Sequence, residues 1–198
     1  MKFLRFQKFS TVAWLAALTL VSVCSSALAQ EAPRVRFSTT AGAFVVEVYP
    51  DKAPKTVENF LQYVKDKHYD GTIFHRVIEN FMAQGGGFDA KYNQKPTRAP
   101  IPLEANNGLK NDAGTIAMAR TGNPNSATSQ FFINVKDNAM LNAPSPDGYG
   151  YTVFGKVVSG ADVIQKIKST PTGAGGPFPT DVPKTTILIN SATLEKKP

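Results

Sequence analysis

Residues 69–88, YDGTIFHRVIENFMAQGGGF, set the reading of the whole chain. They open on a turn, Tyr69-Asp70-Gly71. Residues 73–78 then alternate as a strand does, which puts Phe74, Arg76 and Ile78 on one face and Ile73, His75 and Val77 on the other. Glu79-Asn80 reads as a second turn and residues 81–84 as a short strand. Gly85-Gly86-Gly87 marks backbone that bends tightly or approaches something closely. A phosphate cradle would need a following Gly-Lys-Ser/Thr and a helix, and neither is present. The stretch gathers Phe74, Phe81, Met82 and Phe88 around one cation, Arg76, and one amide, Gln84. Apolar groups with a few convergent polar ones suit a small-molecule or peptide site.

The flanking sequence extends the strand pattern. Upstream, Val35, Phe37 and Thr39, then Phe44, Val46 and Val48, alternate on either side of Thr40-Ala41-Gly42, the signature of a hairpin. Pro54 suits the first turn of a helix whose Val57, Phe60, Leu61 and Val64 share one face. Downstream, residues 89–112 read as a long, ordered surface loop rich in proline and polar groups. Residues 115–119, 130–135 and 153–158 read as strands, with Gln130 and Phe132 facing opposite to Phe131 and Ile133. Residues 161–168 read as a short helix, followed by a Pro/Gly-rich loop to Pro183 and a last strand over 185–194. Many short strands and two helices point to a mainly β fold, a closed or nearly closed antiparallel barrel.

The first 29 residues have the form of a cleaved signal peptide: Lys2, Arg5 and Lys8, an apolar run over 12–23, and Ala27-Leu28-Ala29 before the cut. The apolar run is shorter than the ~20 residues a spanning helix needs. Cys24 does not mark a lipoprotein site, because bulky Val23 precedes it. The expectation is a soluble exported protein, periplasmic or secreted, with residues 30–198 as one domain and no membrane contact after cleavage. Cys24 and Trp14 leave with the leader, so the mature chain has no thiol for a disulfide or redox chemistry. Its 19 basic residues against 15 acidic ones, net +4, are scattered, which argues against nucleic acid as a partner.

The chemistry on offer is narrow. His68 and His75 are the only histidines and neither has metal-ligand spacing, so no metal and no cofactor is expected. Ser126 and Ser129 lack a Gly-x-Ser-x-Gly elbow. Strand alternation turns His75 away from Arg76, as a hydrogen-bonded structural histidine, and His68 reads as solvated at a helix end. An arginine among apolar groups can bind an acidic group, or it can stabilise charge that develops only in a transition state. Rotation about an X-Pro bond is a reaction of the second kind. The barrier, about 18–20 kcal/mol, comes from nitrogen lone-pair density shared with the carbonyl. A hydrogen bond to the prolyl nitrogen holds that lone pair on nitrogen, and no covalent intermediate is needed.

The segments from Tyr69 to Ile78, Phe81-Met82-x-Gln84-Gly85-Gly86, Met118-Ala119-Arg120, Ser129-Gln130-Phe131-Phe132-Ile133 and Val153-Phe154-Gly155-Lys156-Val157 resemble, in order, the cyclophilin family of peptidyl-prolyl cis-trans isomerases. The leader makes the chain most similar to periplasmic bacterial members. The resemblance implies an eight-stranded antiparallel barrel capped by two helices, with the proline site on its outer face. It implies Arg76 as the catalytic guanidinium and Gln84 as its support. Phe81, Met82, Phe132 and Leu141 would hold the proline ring, and Ala119, Arg120 and Gln130 would border the groove for the flanking peptide. The partners implied are proline-containing unfolded or folding polypeptides, met by a monomer.

Three positions depart from the pattern of many eukaryotic members. Met140 replaces a tryptophan, which implies weak cyclosporin binding. Tyr151 replaces a histidine at the pocket edge, and Gly87 replaces an aspartate whose role is expected to be structural. A different kind of function, a module that grips proline segments without catalysis, would use the same residues. What favours an enzyme is a cation on an apolar face, since an unpaired buried charge is costly unless it serves something.

Overall fold

The structure is a computed structural model that describes residues 32–145 and 147–195. The expected leader, with its cleavage point after Ala29, lies outside the described residues. Strands β1 (Arg34–Thr39) and β2 (Gly42–Val48) form the hairpin read from the alternation. Phe37 stands opposite Phe44, with the two rings stacked 4.9 Å apart. Helix α1 (Pro54–Lys65) starts on Pro54, where a missing N–H costs nothing. Ala53 supplies no side-chain cap. The Glu104 carboxylate does so instead, accepting from the backbone N–H groups of Lys55 (3.1 Å) and Thr56 (2.8 Å) and from Thr56 Oγ1 (2.7 Å). A carboxylate there also meets the positive end of the helix dipole.

Strands β3 (Thr72–Ile78) and β4 (Met82–Asp89) depart from the sequence reading in two ways. Phe74 pairs with Gly85 and Arg76 with Gln84, so His75 is an extra residue, a β-bulge. The bulge shifts the alternation by one. Phe74 and Val77 therefore both enter the main core, while Ile78 packs on a second, outer cluster. Phe74 does not share a face with Arg76 and Ile78, as alternation alone implied. The glycine run, in turn, is not a bend after a short strand, because β4 continues through it. Gly86 has φ +84°, and a Cβ there would lie 2.9 Å from both the Tyr69 and Phe131 rings. Close approach, the other half of the expectation, is what requires glycine.

The chain continues through β5 (Thr115–Met118), β6 (Phe131–Asn134), β7 (Val153–Ser159) and helix α2 (Ala161–Lys168). The segment read as a loop to Pro183 is a two-stranded hairpin, β8 (Thr172–Gly175) and β9 (Phe178–Pro183). The last strand, β10 (Ile189–Leu194), returns to pair with β1. Eight strands form one sheet in the order β10-β1-β2-β7-β5-β6-β4-β3. Its two ends approach each other: the Gly71 N–H donates to the Ile189 carbonyl (2.8 Å) and the Phe74 N–H to that of Ile187 (3.0 Å). The result is the expected mainly β, nearly closed antiparallel barrel with two helices, with β8–β9 as an added hairpin.

The barrel is filled with aromatic rings. Phe131 lies within 6.4 Å, centroid to centroid, of Phe37, Phe60, Tyr69 and Phe74. The smaller cluster of Met82, Ala117, Phe132, Leu141 and Val153 lies apart from that core. Because strand residues alternate, β4 and β6 serve both clusters at once: Ala83, Phe131 and Ile133 belong to the main core, Met82 and Phe132 to the smaller one.

Candidate active site

Met82, Phe132 and Leu141 of the smaller cluster line a cavity of about 120 Å³. That is well below the ~300–1,000 Å³ of sites for drug-sized ligands and suits one small ring. Arg76 from β3, Met82 and Gln84 from β4, and Phe132 from β6 line it, with Phe81 from the turn before β4. Ala119 and Arg120, just after β5, Leu141 and Tyr151 complete the wall. Gln130 is absent from the lining but accepts a 2.9 Å hydrogen bond from Gln84 Nε2. Met82, Phe132 and Leu141 are buried, and the Phe132 and Tyr151 rings meet edge to face at 5.7 Å.

The polar residues differ from the sequence reading. The Arg76 side chain is 43% exposed, and its Nε lies 3.7 Å from Asp181 Oδ2 of β9. It is thus neither buried nor unpaired, and the cost of a lone buried charge does not arise. Gln84 stands opposite Arg76 in the β3–β4 register, yet its amide hydrogen bond goes to Gln130. Any support it gives Arg76 is through packing and position.

Arg120 is held inward. Its side chain is 2% exposed and forms a bidentate pair with Asp147 through Nη2 (2.9 and 2.8 Å). It also donates to the Gly150 carbonyl from Nε (2.9 Å) and Nη2 (2.7 Å), and to that of Thr121 from Nη1 (3.0 Å). The guanidinium lies over the Tyr151 ring at 4.4 Å. These bonds fix the loop that delivers Tyr151, so Arg120 shapes the wall with its donors already engaged. The same contacts hold the Asp147 carboxyl below its usual range, with the Arg120 hydrogen bond the main cause.

The residues that set Leu141 were not visible as site residues. Leu141 ends a short 3-10 turn, Ala139–Leu141, anchored by three buried asparagines. Asn134 Nδ2 donates to Asn111 Oδ1 (3.1 Å) and Thr115 Oγ1 (2.9 Å). Asn138 Nδ2 donates to the Phe81 carbonyl and to Asn134 Oδ1, each at 2.7 Å. Asn111 Nδ2 reaches the Leu141 carbonyl at 3.2 Å. The network thus ties both edges of the cavity, at Phe81 and Leu141, to β6. Three asparagines scattered over 28 positions carry no sequence motif.

His75 is structural, as expected, and so, against expectation, is His68. His75 is buried between Phe88 (4.7 Å) and Phe178 (5.4 Å), and its Nδ1 has no hydrogen-bond partner among the described residues. Burial, helped by nearby Arg76, pushes its pKa down to about 4, so the ring is neutral. His68 is not solvated. It is buried against Tyr63 and Tyr69, with Nε2 3.3 Å from the Gly86 carbonyl.

A model of the cyclophilin type peptidyl-prolyl cis-trans isomerase family matches residues 34–194. The chain is a cyclophilin. Among curated relatives it is 57% identical over 162 residues to the peptidyl-prolyl cis-trans isomerase cyp18 of Streptomyces antibioticus, covering 81% of this chain and 97% of the relative. Peptidyl-prolyl cis-trans isomerase B of Escherichia coli is 54% identical over 164 residues, covering 82% and 99%. In structure it is similar to a cyclophilin-type isomerase of Cryptosporidium parvum, with a TM-score of 0.68, 28% identity and coverage of 84% and 99%. A second structure of that protein, in the presence of the dipeptide Ala-Pro, gives a TM-score of 0.67 at 27% identity. This cyclophilin is therefore a peptidyl-prolyl cis-trans isomerase.

Proposed function

We propose that this cyclophilin speeds the folding of exported proteins, with Arg76 donating to the prolyl nitrogen while the proline ring sits among Phe81, Met82, Phe132 and Leu141. One observation carries the reading: a half-exposed guanidinium borders a small cavity into which Phe81, Met82, Phe132 and Leu141 bring an apolar wall. The ring is held and desolvated by apolar side chains, and the bond before it rotates. As the nitrogen becomes pyramidal, Arg76 binds its lone pair and the double-bond character falls. Ala119, Arg120 and Gln130 border the path of the flanking chain, and Gln84 stands beside Arg76. An acceleration of about 10⁵ needs roughly 7 kcal/mol. One charge-assisted hydrogen bond supplies about 1.5–3 kcal/mol. Desolvation and clamping of the ring supply the remainder.

The form of residues 1–29 supports export by a leader cut after Ala29 and action in the periplasm or outside the cell, as a monomer on unfolded or folding chains. Uncatalysed X-Pro isomerisation takes tens to hundreds of seconds, long enough to limit folding there. Met140 is 56% exposed and does not line the cavity, which supports weak cyclosporin binding.

Relaxation of a proline peptide from cis to trans tests the mechanism. The protein accelerates it, and Arg76→Ala lowers kcat/KM by about 10- to 150-fold, the equivalent of one charge-assisted hydrogen bond. Peptide binding survives that substitution. Unchanged rates in Arg76→Ala would remove Arg76 from the mechanism, and binding without acceleration by the parent would make the protein a binding module. Cell fractionation with N-terminal sequencing tests export: an extracytoplasmic protein beginning at Gln30 is expected, and an intact cytoplasmic chain refutes it.

A further inference from the structure

We infer that Asp181, on the β8–β9 hairpin, is a positioning residue that sets the direction of the Arg76 guanidinium. The inference rests on the reading of Arg76 as the group that acts on the prolyl nitrogen. Asp181 Oδ2 lies 3.7 Å from Arg76 Nε, and this is the ion pair of Arg76 among the described residues. The contact is on the Nε edge. Arg76 also lines the cavity, so a carboxylate on that edge leaves the two terminal nitrogens to face the proline site.

Two further observations show that this contact is built rather than incidental. Asp181 has φ +67°, a left-handed conformation uncommon outside glycine. A residue held in such a conformation points to an arrangement that the surroundings impose. The surroundings here are aromatic. Phe178 of β9 packs against His75 (5.4 Å), Phe88 (5.2 Å) and Tyr92 (6.2 Å). A Cβ at Gly176, in the turn of the hairpin, would lie 2.4 Å from the Tyr92 ring, so the turn sits directly on that side chain. The hairpin is thereby locked onto β3 at the bulged residue, His75, next to Arg76. One rigid attachment supplies the carboxylate and the adjoining bulge supplies the arginine.

A half-exposed pair contributes little to stability, since water and salt screen it. Its effect is on orientation. A guanidinium free to sample several rotamers would donate to the prolyl nitrogen for a smaller fraction of the time, which lowers kcat. The grip on the ring, made by apolar side chains elsewhere, would not change, so KM should hold.

Asp181→Asn is the test, because asparagine also tolerates the left-handed conformation and keeps the side-chain shape. Relaxation assays on a proline peptide should show kcat lower by about fivefold, near the upper end of what a half-exposed ion pair contributes. KM and the thermal midpoint should stay close to the parent's. The Arg76 Nε–H resonance, assigned by its loss in Arg76→Ala, should shift in Asp181→Asn. An unchanged kcat, a change confined to KM, or an unmoved Arg76 resonance each overturns the inference. The assay of Arg76→Ala keeps the two readings separate. Full activity in that variant refutes the role of Arg76 itself, whereas a slow Arg76→Ala beside a fully active Asp181→Asn refutes only the role of Asp181.

Discussion

A side chain at position 87 would meet Gln130. A Cβ at position 87 would lie 2.5–2.7 Å from Gln130 Cγ, Cδ and Nε2. Gln130 is the acceptor for Gln84, and Gln84 is the cross-strand neighbour of Arg76. Gly87→Ala should therefore push Gln130 aside and break that bond. Because Gln130 is a flexible, partly exposed side chain, the loss of stability is expected to stay within about 1 kcal/mol. Catalysis should fall by severalfold. Thermal unfolding and cis-to-trans relaxation, measured on the same variant, check both halves. In the sequence Gly87 shows only as a departure from the aspartate of related chains. Its neighbour is 43 positions away, and no local rule links them.

At the scale of elements, the bulge at His75 and the hairpin β8–β9 form one unit. His75 is neutral in the folded protein because burial in an aromatic cluster disfavours its charged form. Its folded pKa of about 4 lies below the ordinary 6.5, so the unfolded chain binds more protons between those values. The stability that neutral His75 preserves is thus complete above pH ~6.5 and is lost as pH falls toward ~4, about 3 kcal/mol in all. Urea unfolding at pH 7 and pH 4.5 should show this loss, and His75→Phe should reduce it. The burial of His68 acts with the same sign and leaves a residual slope in that variant. A pH response equal to the parent's in His75→Phe would show that the bulge does not carry it. The hairpin itself was read as a loop because proline and glycine dominate residues 171–183. Its pairing depends on Phe178 finding the surface of His75 and Phe88, which is a tertiary event. Helix α1 shows the same limit, since its cap comes from Glu104, 48 residues beyond Thr56.

For the whole molecule, stability centres on the aromatic filling of the barrel. Phe131 is fully buried among four other rings contributed by β1, α1, the turn before β3 and β3 itself. Phe131→Ala should cost about 3–5 kcal/mol through lost burial and the cavity it leaves. The thermal midpoint should fall by roughly 6–20 °C. Phe132→Ala, one position away on the outer face, should in addition raise KM, because its ring lies in the cavity wall. Both variants lose stability, since both rings are buried, and KM measured on the pair separates the core residue from the cavity residue that neighbours it in sequence.

Much of this was written in the chain order. Period-two alternation placed most strands, the 3.6-residue spacing placed both helices, and an arginine among aromatics with no nucleophile pointed to a reaction that makes no covalent bond. These signals are local, so neighbouring residues suffice to carry them. The bulge that parts Phe74 from Arg76, the Asp181 that pairs with Arg76, and the inward-held Arg120 were decided only when the barrel closed. So was the asparagine network behind Leu141. Each depends on groups far apart in sequence competing for the same space, charge or hydrogen bond, and that competition has no meaning until the strands lie side by side. Residues 69–88 thus supplied the arginine, the glutamine and part of the apolar wall of the candidate site, while its geometry waited on β5, β6, β7 and the hairpin that folds back over β3.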